Sequence, residues 1–292
     1  MRGLRGKGVL VAGASRGIGE AAARRFLEEG CRVFICARGA EGVARAVGEL
    51  GSLGEVDGTS CDVSDPEEVE RLVETAERFL GGIDVLANNA GVAWQEPFLD
   101  ITLDHWDQVF AINLRGMFLV AQQVAQRMVA RGRGGSIVNM SSTNAFEGEA
   151  GYTHYNASKS AVNLLTRTMA VELGPHGIRV NALCPGKIFT PLQAEAEDPE
   201  YTARYERDRI PLAQGLRFEV IALPNEHPDL FRRELGRRVG EVDSGERLHG
   251  VMNQALKGLR AQIDPVGLQE PRFGFDGCVR HGTSSSWFLE GM

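Results

Sequence analysis

Short runs that are apolar on both faces alternate with amphipathic helical segments through the first 185 residues, and this rhythm restricts the fold more than any other feature. Val9–Ala12, Arg32–Ala37, Val85–Ala87, Ser136–Asn139 and Arg179–Leu183 are strand-like. A strand with no polar face must be covered on both sides, which is the condition of a parallel sheet. Among the helical segments, Ser64-Asp-Pro-Glu67 carries a capping-box pattern. The Ser64 hydroxyl is expected to accept a backbone N–H while Glu67 reaches back. Val69, Leu72, Val73, Ala76 and Phe79 then recur at helical spacing. Longer helices are expected over about Asp104–Arg131 and about Tyr155–Leu173. Repeated strand–helix–strand units with right-handed crossovers give an α/β fold: a doubly wound, Rossmann-type parallel sheet with helices on both faces.

Composition narrows the function classes. The 292 residues carry a net charge of −7, unsuited to coating nucleic acid or an anionic membrane. No apolar run reaches the ~20 residues of a membrane span, and Met1–Gly8 lacks the apolar core of a secretory signal. The five cysteines (Cys31, Cys36, Cys61, Cys184 and Cys278) are scattered and without metal-ligand spacing. They read as small core residues in a reducing compartment, by default the cytoplasm. No metal site is expected.

The first strand runs directly into Gly13-Ala-Ser-Arg-Gly17-Ile-Gly19 and then into a helical pattern. Glycines allow the tight turn and remove the Cβ atoms that would hold a pyrophosphate away, and the helix start presents free N–H groups and a positive dipole end. The end of the second strand discriminates between dinucleotides. An acid ~20 residues beyond the glycines grips the ribose 2′-hydroxyl of NAD. Here Ala37 and Arg38 occupy that turn, and no carboxylate comes before Glu41. A guanidinium grips a 2′-phosphate that a carboxylate would repel. With Arg16 and Ser15 placed to help, NADP(H) is expected in preference to NAD(H).

Tyr155-Asn-Ala-Ser-Lys159 opens a helix, and residues four apart share one face. A free phenol titrates near ~10, and a neighbouring ammonium favours the phenolate. Ser142 ends the strand Ile137–Ser142, and Asn88-Asn-Ala-Gly91 ends the strand before it. Both belong where strand ends meet a cofactor cleft. Asn113 interrupts the apolar face of a long helix, where a buried amide needs partners.

Taken together, Gly13-x-x-x-Gly17-x-Gly19, Asp62-Val63, Asn88-Asn-Ala-Gly91, Asn113, Ser142, Tyr155-x-x-x-Lys159 and Pro185-Gly186 followed by Thr190 resemble the short-chain dehydrogenase/reductase family in its single-domain branch. Extended relatives space their glycines as G-x-x-G-x-x-G, unlike this chain. The resemblance implies that Tyr155 exchanges a proton with a carbonyl or alcohol oxygen, which Ser142 holds. Lys159 would bind the nicotinamide ribose and lower the Tyr155 pKa. Asn113 would hold a relay water. Asp62 and Val63 would flank adenine, with Asn89 near the adenosine ribose, and Ala90 and Gly91 would also bind the cofactor. Pro185 and Gly186 would also bind the cofactor, with Ile188 and Thr190 at the nicotinamide carboxamide.

The resemblance spans about Lys7–Leu212, roughly seven tenths of the chain. A catalytic domain is expected over 1–213 and a divergent, partly helical segment over 214–292. Helical patterns there run over Pro228–Val239 and Glu246–Ile263, and Val242-Asp-Ser-Gly245 faintly echoes the family's last strand motif. A C-terminal extension, a rebuilt lid and a shifted reading frame all fit this divergence. Substrate-facing residues are expected in Ala93–Glu96, Thr143–Glu147, Tyr152 and Lys187–Arg209. Phe146, Trp94 and Tyr152 offer apolar contact there, and Glu147 or Glu149 could meet polyol hydroxyls. The chain resembles 3-oxoacyl-carrier-protein reductases and sugar or polyol dehydrogenases, with a slight lean to the former. The implied function is NADP(H)-dependent interconversion of a ketone and a secondary alcohol on a small-molecule substrate. Arg127, Arg131 and Arg133 could attract an acyl carrier protein, although cations at a helix C-terminus also complement its dipole. A cofactor-binding protein without turnover is the rival reading. By resemblance, a homo-oligomer (dimer or tetramer) would pack the Asp104–Arg131 and Tyr155–Leu173 helices, with Phe110, Met117, Phe118, Val162 and Leu165 available.

Overall fold

Six parallel strands form the sheet: β1 Gly8–Ala12, β2 Arg32–Ala37, β3 Val56–Ser60, β4 Val85–Asn88, β5 Gly135–Met140 and β6 Ile178–Leu183. This computed structural model describes residues 3–188, 190–192 and 199–209. The strand order is β3-β2-β1-β4-β5-β6. The direction of winding reverses between β1 and β4, which pair Val9 with Val85 and Ala12 with Asn88. A crevice opens beyond the carboxyl ends of such a pair, and ligands bind there.

Helices α1 (Gly17–Glu28) and α2 (Ala40–Leu50) cover one face, burying Ala23, Phe26, Leu27, Val43, Ala46 and Leu50 against Val9, Val11, Val33 and Ile35. The other face is covered by α3 (Pro66–Leu80), α5 (Met117–Arg131) and α6 (Thr153–Leu173). There Leu72, Val73, Val120, Val124 and Met128 pack on Leu10, Phe34, Leu86 and Ile137. All five residues of β1 are buried, as a central strand requires.

Several local expectations are corrected. The cap of α3 is Asp65, whose carboxylate accepts from the N–H groups of Glu67 and Glu68, and not Ser64. Pro66 at the first helical position fixes the start one residue later, and Ser64 instead donates to Asp62 at 2.7 Å. Strand β3, Val-Asp-Gly-Thr-Ser, was not among the expected strands. It is an edge strand with polar and half-buried residues, so it lacks the apolar run of its neighbours. Strand β5 stops at Met140, short of Ser142.

The expected helix over Asp104–Arg131 divides into α4 (Leu103–Phe110), a π-helical turn Ala111–Gly116 and α5. The expected helix over Tyr155–Leu173 is α6, which starts two residues before Tyr155. A further helix, α7 (Pro199–Arg209), follows β6. The described residues fall in the compact unit Met1–Ile221. The patterns at Pro228–Val239, Glu246–Ile263 and Val242–Gly245, the segment 214–292, and Cys278 lie outside the described residues. No described helix is long and apolar enough to cross a membrane.

Candidate active site

A cleft of about 440 Å³ opens at the β1/β4 switch point. Its floor is the glycine loop, where Gly13, Ser15, Arg16, Gly17 and Ile18 line the cavity. Gly17 has φ +64°, a left-handed conformation that favours glycine. Gly19 does not line the cleft. A Cβ there would lie 2.2 Å from the Gly13 carbonyl oxygen, so this glycine permits the close approach of helix to strand. No side chain caps α1, which leaves its first N–H groups to whatever enters the cleft. That donor set suits a pyrophosphate.

The end of β2 supplies Ala37, Arg38 and Gly39 to the same wall. Glu41 lies in the first turn of α2 and is not among the lining residues. Cys61, Asp62 and Val63 close this end, and Asn89, Ala90 and Gly91 line the centre. Asn89 donates to the Gly13 carbonyl at 2.8 Å, locking the two loops together. The Ser64 hydroxyl holds the Asp62 carboxyl below its usual range, and Arg38 and Arg115 add to that effect. The residues present therefore fit a dinucleotide, and where β2 ends the wall carries the Arg38 guanidinium and no carboxylate.

Ser142, Tyr155 and Lys159 meet at the other end of the cleft. Tyr155 and Lys159 lie one turn apart on α6, with the Lys159 Nζ 5.5 Å from the Tyr155 ring centroid. Lys159 is buried and donates to the Met140 carbonyl at 2.8 Å. Burial lowers its pKa to about 8. Desolvation in the cleft raises the Tyr155 pKa, opposed by a hydrogen bond from Ser142 and reinforced by the Glu149 charge. The hydrogen bond with Ser142 lowers the phenol pKa, and the net direction is upward.

Asn113 does not line the cleft; it lies in the π turn and is wholly buried. Its Oδ1 accepts from the Val92 N–H at 2.8 Å, while its Nδ2 donates to the Val92 carbonyl at 2.9 Å and to Ser158 Oγ at 3.2 Å. The amide thus pairs with the backbone of the cleft loop as a strand would. Gly91 makes the approach possible, because a Cβ there would lie 3.2 Å from Asn113 Oδ1 and 3.5 Å from Lys159 Nζ. π turns of this kind concentrate at functional sites.

A family model described as short chain dehydrogenase matches residues 7–200. The chain belongs to the short-chain dehydrogenase family. It is 38% identical over 216 residues to an L-rhamnose 1-dehydrogenase (NAD(P)(+)) of Sphingomonas sp. (strain SKA58), covering 73% of this chain and 85% of the relative. A solved short-chain type dehydrogenase/reductase from Mycobacterium marinum aligns with TM-score 0.69 and 37% identity, over 74% of this chain and 85% of that one. An actinorhodin polyketide ketoreductase solved with NADPH aligns with TM-score 0.67 and 36% identity, over 72% and 85%. As a short-chain dehydrogenase the chain is an oxidoreductase that acts on CH–OH groups of a small molecule with a nicotinamide cofactor.

Within this short-chain dehydrogenase site, Pro185, Gly186, Ile188 and Thr190 line the cleft beyond β6. Of the three aromatics expected near substrate, Tyr152 lines it. Phe146 is 67% exposed and outside the lining, and Trp94 instead stacks on His105 at 5.1 Å. Two supporting serines escaped the sequence reading. Ser141 donates to the Lys159 carbonyl at 3.1 Å, and Ser158 donates to the Tyr155 carbonyl at 2.8 Å. Both were adjacent to recognised positions, and Ser158 stands three residues beyond Tyr155, on the same helix face.

Proposed function

We propose that this short-chain dehydrogenase prefers NADP(H) and interconverts a ketone and a secondary alcohol, with Tyr155 as the proton-transferring residue. The observation that carries this reading is the meeting of Ser142, Tyr155 and Lys159 at one end of a cleft whose other end holds an uncapped helix start and Arg38. The nicotinamide, when bound, supplies or accepts the hydride. Tyr155 passes its phenolic proton to the carbonyl oxygen in reduction and takes it back in oxidation. A phenol kept protonated by desolvation is in the form that donates. Ser142 holds the reacting oxygen, and Lys159 binds the cofactor ribose. Asp62, Val63, Asn89, Ala90 and Gly91 hold the adenosine half, and Pro185, Gly186, Ile188 and Thr190 the nicotinamide. Because the Asn113 amide is committed to Val92 and Ser158, we assign it to positioning the cleft loop and α6 rather than to holding a relay water.

Preference for the phosphorylated dinucleotide is supported by Arg16 and Arg38 in the lining and by the lack of a carboxylate where β2 ends. An acyl carrier protein draws less support than in the sequence reading. Arg127 is paired with Glu77 at 2.9 Å and Arg131 with Asp84 at 3.1 Å, so two cations of that cluster serve this chain's own carboxylates. Homo-oligomerisation is supported by large apolar side chains left exposed on the helices, Leu103 (82%), Leu164 (65%) and Val171 (77%), with Phe118 at 40%. Met117 and Val162 belong instead to the core. Buried, unpaired Cys31, Cys36 and Cys61 suit a reducing compartment such as the cytoplasm.

Steady-state oxidation of NADPH against acetoacetyl thioesters, diketones and ketoses tests the reading. Turnover on at least one carbonyl class, stronger with NADPH than with NADH, is expected. Tight NADPH binding with no turnover on any of them would favour a cofactor-binding protein and overturn it.

A further inference from the structure

At its substrate end the cleft adjoins a second cavity of about 290 Å³, and the two share Thr143, Asn144, Glu149 and Tyr205. Glu149 is half-buried at this junction. Its Oε2 accepts from Asn144 Nδ2 at 2.6 Å, and its Oε1 accepts from the Tyr201 hydroxyl on α7. Asn144 is itself fixed: its backbone N–H donates to Ser142 Oγ at 3.2 Å, and its Nδ2 also donates to Asn156 Oδ1 at 3.0 Å. Asn156 closes the ring by donating to the Glu149 carbonyl at 2.9 Å. The carboxylate is therefore held in a set relation to the serine that faces the reacting oxygen.

We propose that Glu149 is the specificity-determining residue of this site, accepting hydrogen bonds from hydroxyl groups next to the reacting carbon, so that the substrates are polyhydroxylated ketones and alcohols rather than acyl thioesters. The inference rests on the ketone–alcohol reading given above. A carboxylate offers about four acceptor positions, and two donors leave room for more. A hydroxyl-bearing substrate replaces the water that the carboxylate loses on binding. An acyl chain brings no donor, and desolvating a charge against methylene groups is costly. A site built to bond a hydroxyl therefore rejects the analogue without one far more strongly than an apolar pocket rejects an added hydroxyl. The neighbouring wall agrees in character. Lys187 lines the same cleft, its ammonium 4.9 Å from the Tyr205 ring centroid and 5.6 Å from that of Tyr201. Glu149 and Tyr155 line the same cleft, and the Glu149 charge contributes to raising the phenol pKa.

The test compares wild type, Glu149→Gln and Glu149→Ala, each with NADPH, on an open-chain ketopentose, a hydroxyl-free diketone and an acetoacetyl thioester. Wild type is expected to favour the ketopentose. In Glu149→Gln the ratio of kcat/KM for ketopentose to that for diketone should fall about tenfold or more, the factor expected when a bond to a charged group is lost. Because the ratio is taken within one variant, any loss of folded protein cancels. An unchanged ratio would reduce Glu149 to a scaffold for Asn144 and Tyr201 and overturn the proposal, as would a wild-type preference for the thioester. Wild type inert on all three carbonyls while still binding NADPH would sink the ketone–alcohol reading itself, and the proposal with it.

Discussion

Replacing Asn113 with alanine removes three hydrogen bonds at once: one from the Val92 N–H, one to the Val92 carbonyl and one to Ser158 Oγ. The side chain is wholly buried. Each buried group left without a partner costs about 1–3 kcal/mol. Val92 is half-buried, so water recovers part of the loss. That places the total near the low end for three groups, about 3 kcal/mol. In a chain of this size such a loss lowers the melting temperature by on the order of 10 °C. Ser158→Ala is the graded control, since it removes one of the three bonds to Asn113 together with the bond that Ser158 donates to the Tyr155 carbonyl, and should cost about 1–2 kcal/mol. Thermal unfolding followed by circular dichroism reads both variants, and NADPH titration reads the loosened cleft loop. The order of melting temperatures should be wild type, Ser158→Ala, then Asn113→Ala, with NADPH bound more weakly in the last. If Asn113→Ala melts within about 2 °C of wild type, the amide does not tie the loop to the helix and the reasoning fails.

Three further outcomes follow from the same geometry. Arg38→Ala should lower the preference for NADPH over NADH about tenfold or more, measured as the ratio of kcat/KM values, while leaving NADH use largely as it was. Gly116→Ala would set a Cβ 2.8 Å from Val63 Cγ2 and 2.9 Å from the Val63 carbonyl oxygen, so backbone must shift. It should cost about 1–3 kcal/mol in urea unfolding and weaken NADPH binding through the displaced Val63 wall. Lys159 titrates near pH 8 in the folded chain against an ordinary 10.5, so the unfolded chain holds more protons between those values. Stability from this group therefore rises with pH across that window. Urea unfolding at both ends of it should show wild type gaining on Lys159→Met as pH rises, and parallel curves would contradict the buried ammonium.

The parts of the fold that were legible in sequence are those where burial leaves a periodic trace. The central strands carried uninterrupted apolar runs because helices cover both faces, and the edge strand Val56–Ser60 carried none. The α3 cap was misplaced by one residue because Ser64 and Asp65 both suit that position, and Pro66 decides between them through its fixed φ. Residues that line the cleft were easier to find than those that support them. Gly13, Ser142, Tyr155 and Lys159 sit at strand ends or helix starts, where chain direction alone puts them beside the crevice. The π turn around Asn113 leaves no periodic mark in sequence, because it depends on Val92 offering its backbone from another loop. Glu149 was visible only as one acid among several, since its partners Asn144 and Tyr201 come from separate segments.

The central claim is that Tyr155 moves the proton in a nicotinamide-dependent carbonyl reaction. Its most direct test is NADPH oxidation followed by nicotinamide absorbance for wild type and Tyr155→Phe side by side, on whichever carbonyl wild type reduces fastest, with NADPH affinity measured for both. The account predicts turnover by wild type, a loss of about 100-fold or more in kcat for the variant, and nearly equal NADPH binding. Turnover by Tyr155→Phe at a rate close to wild type would contradict it, because the proton would then come from another group.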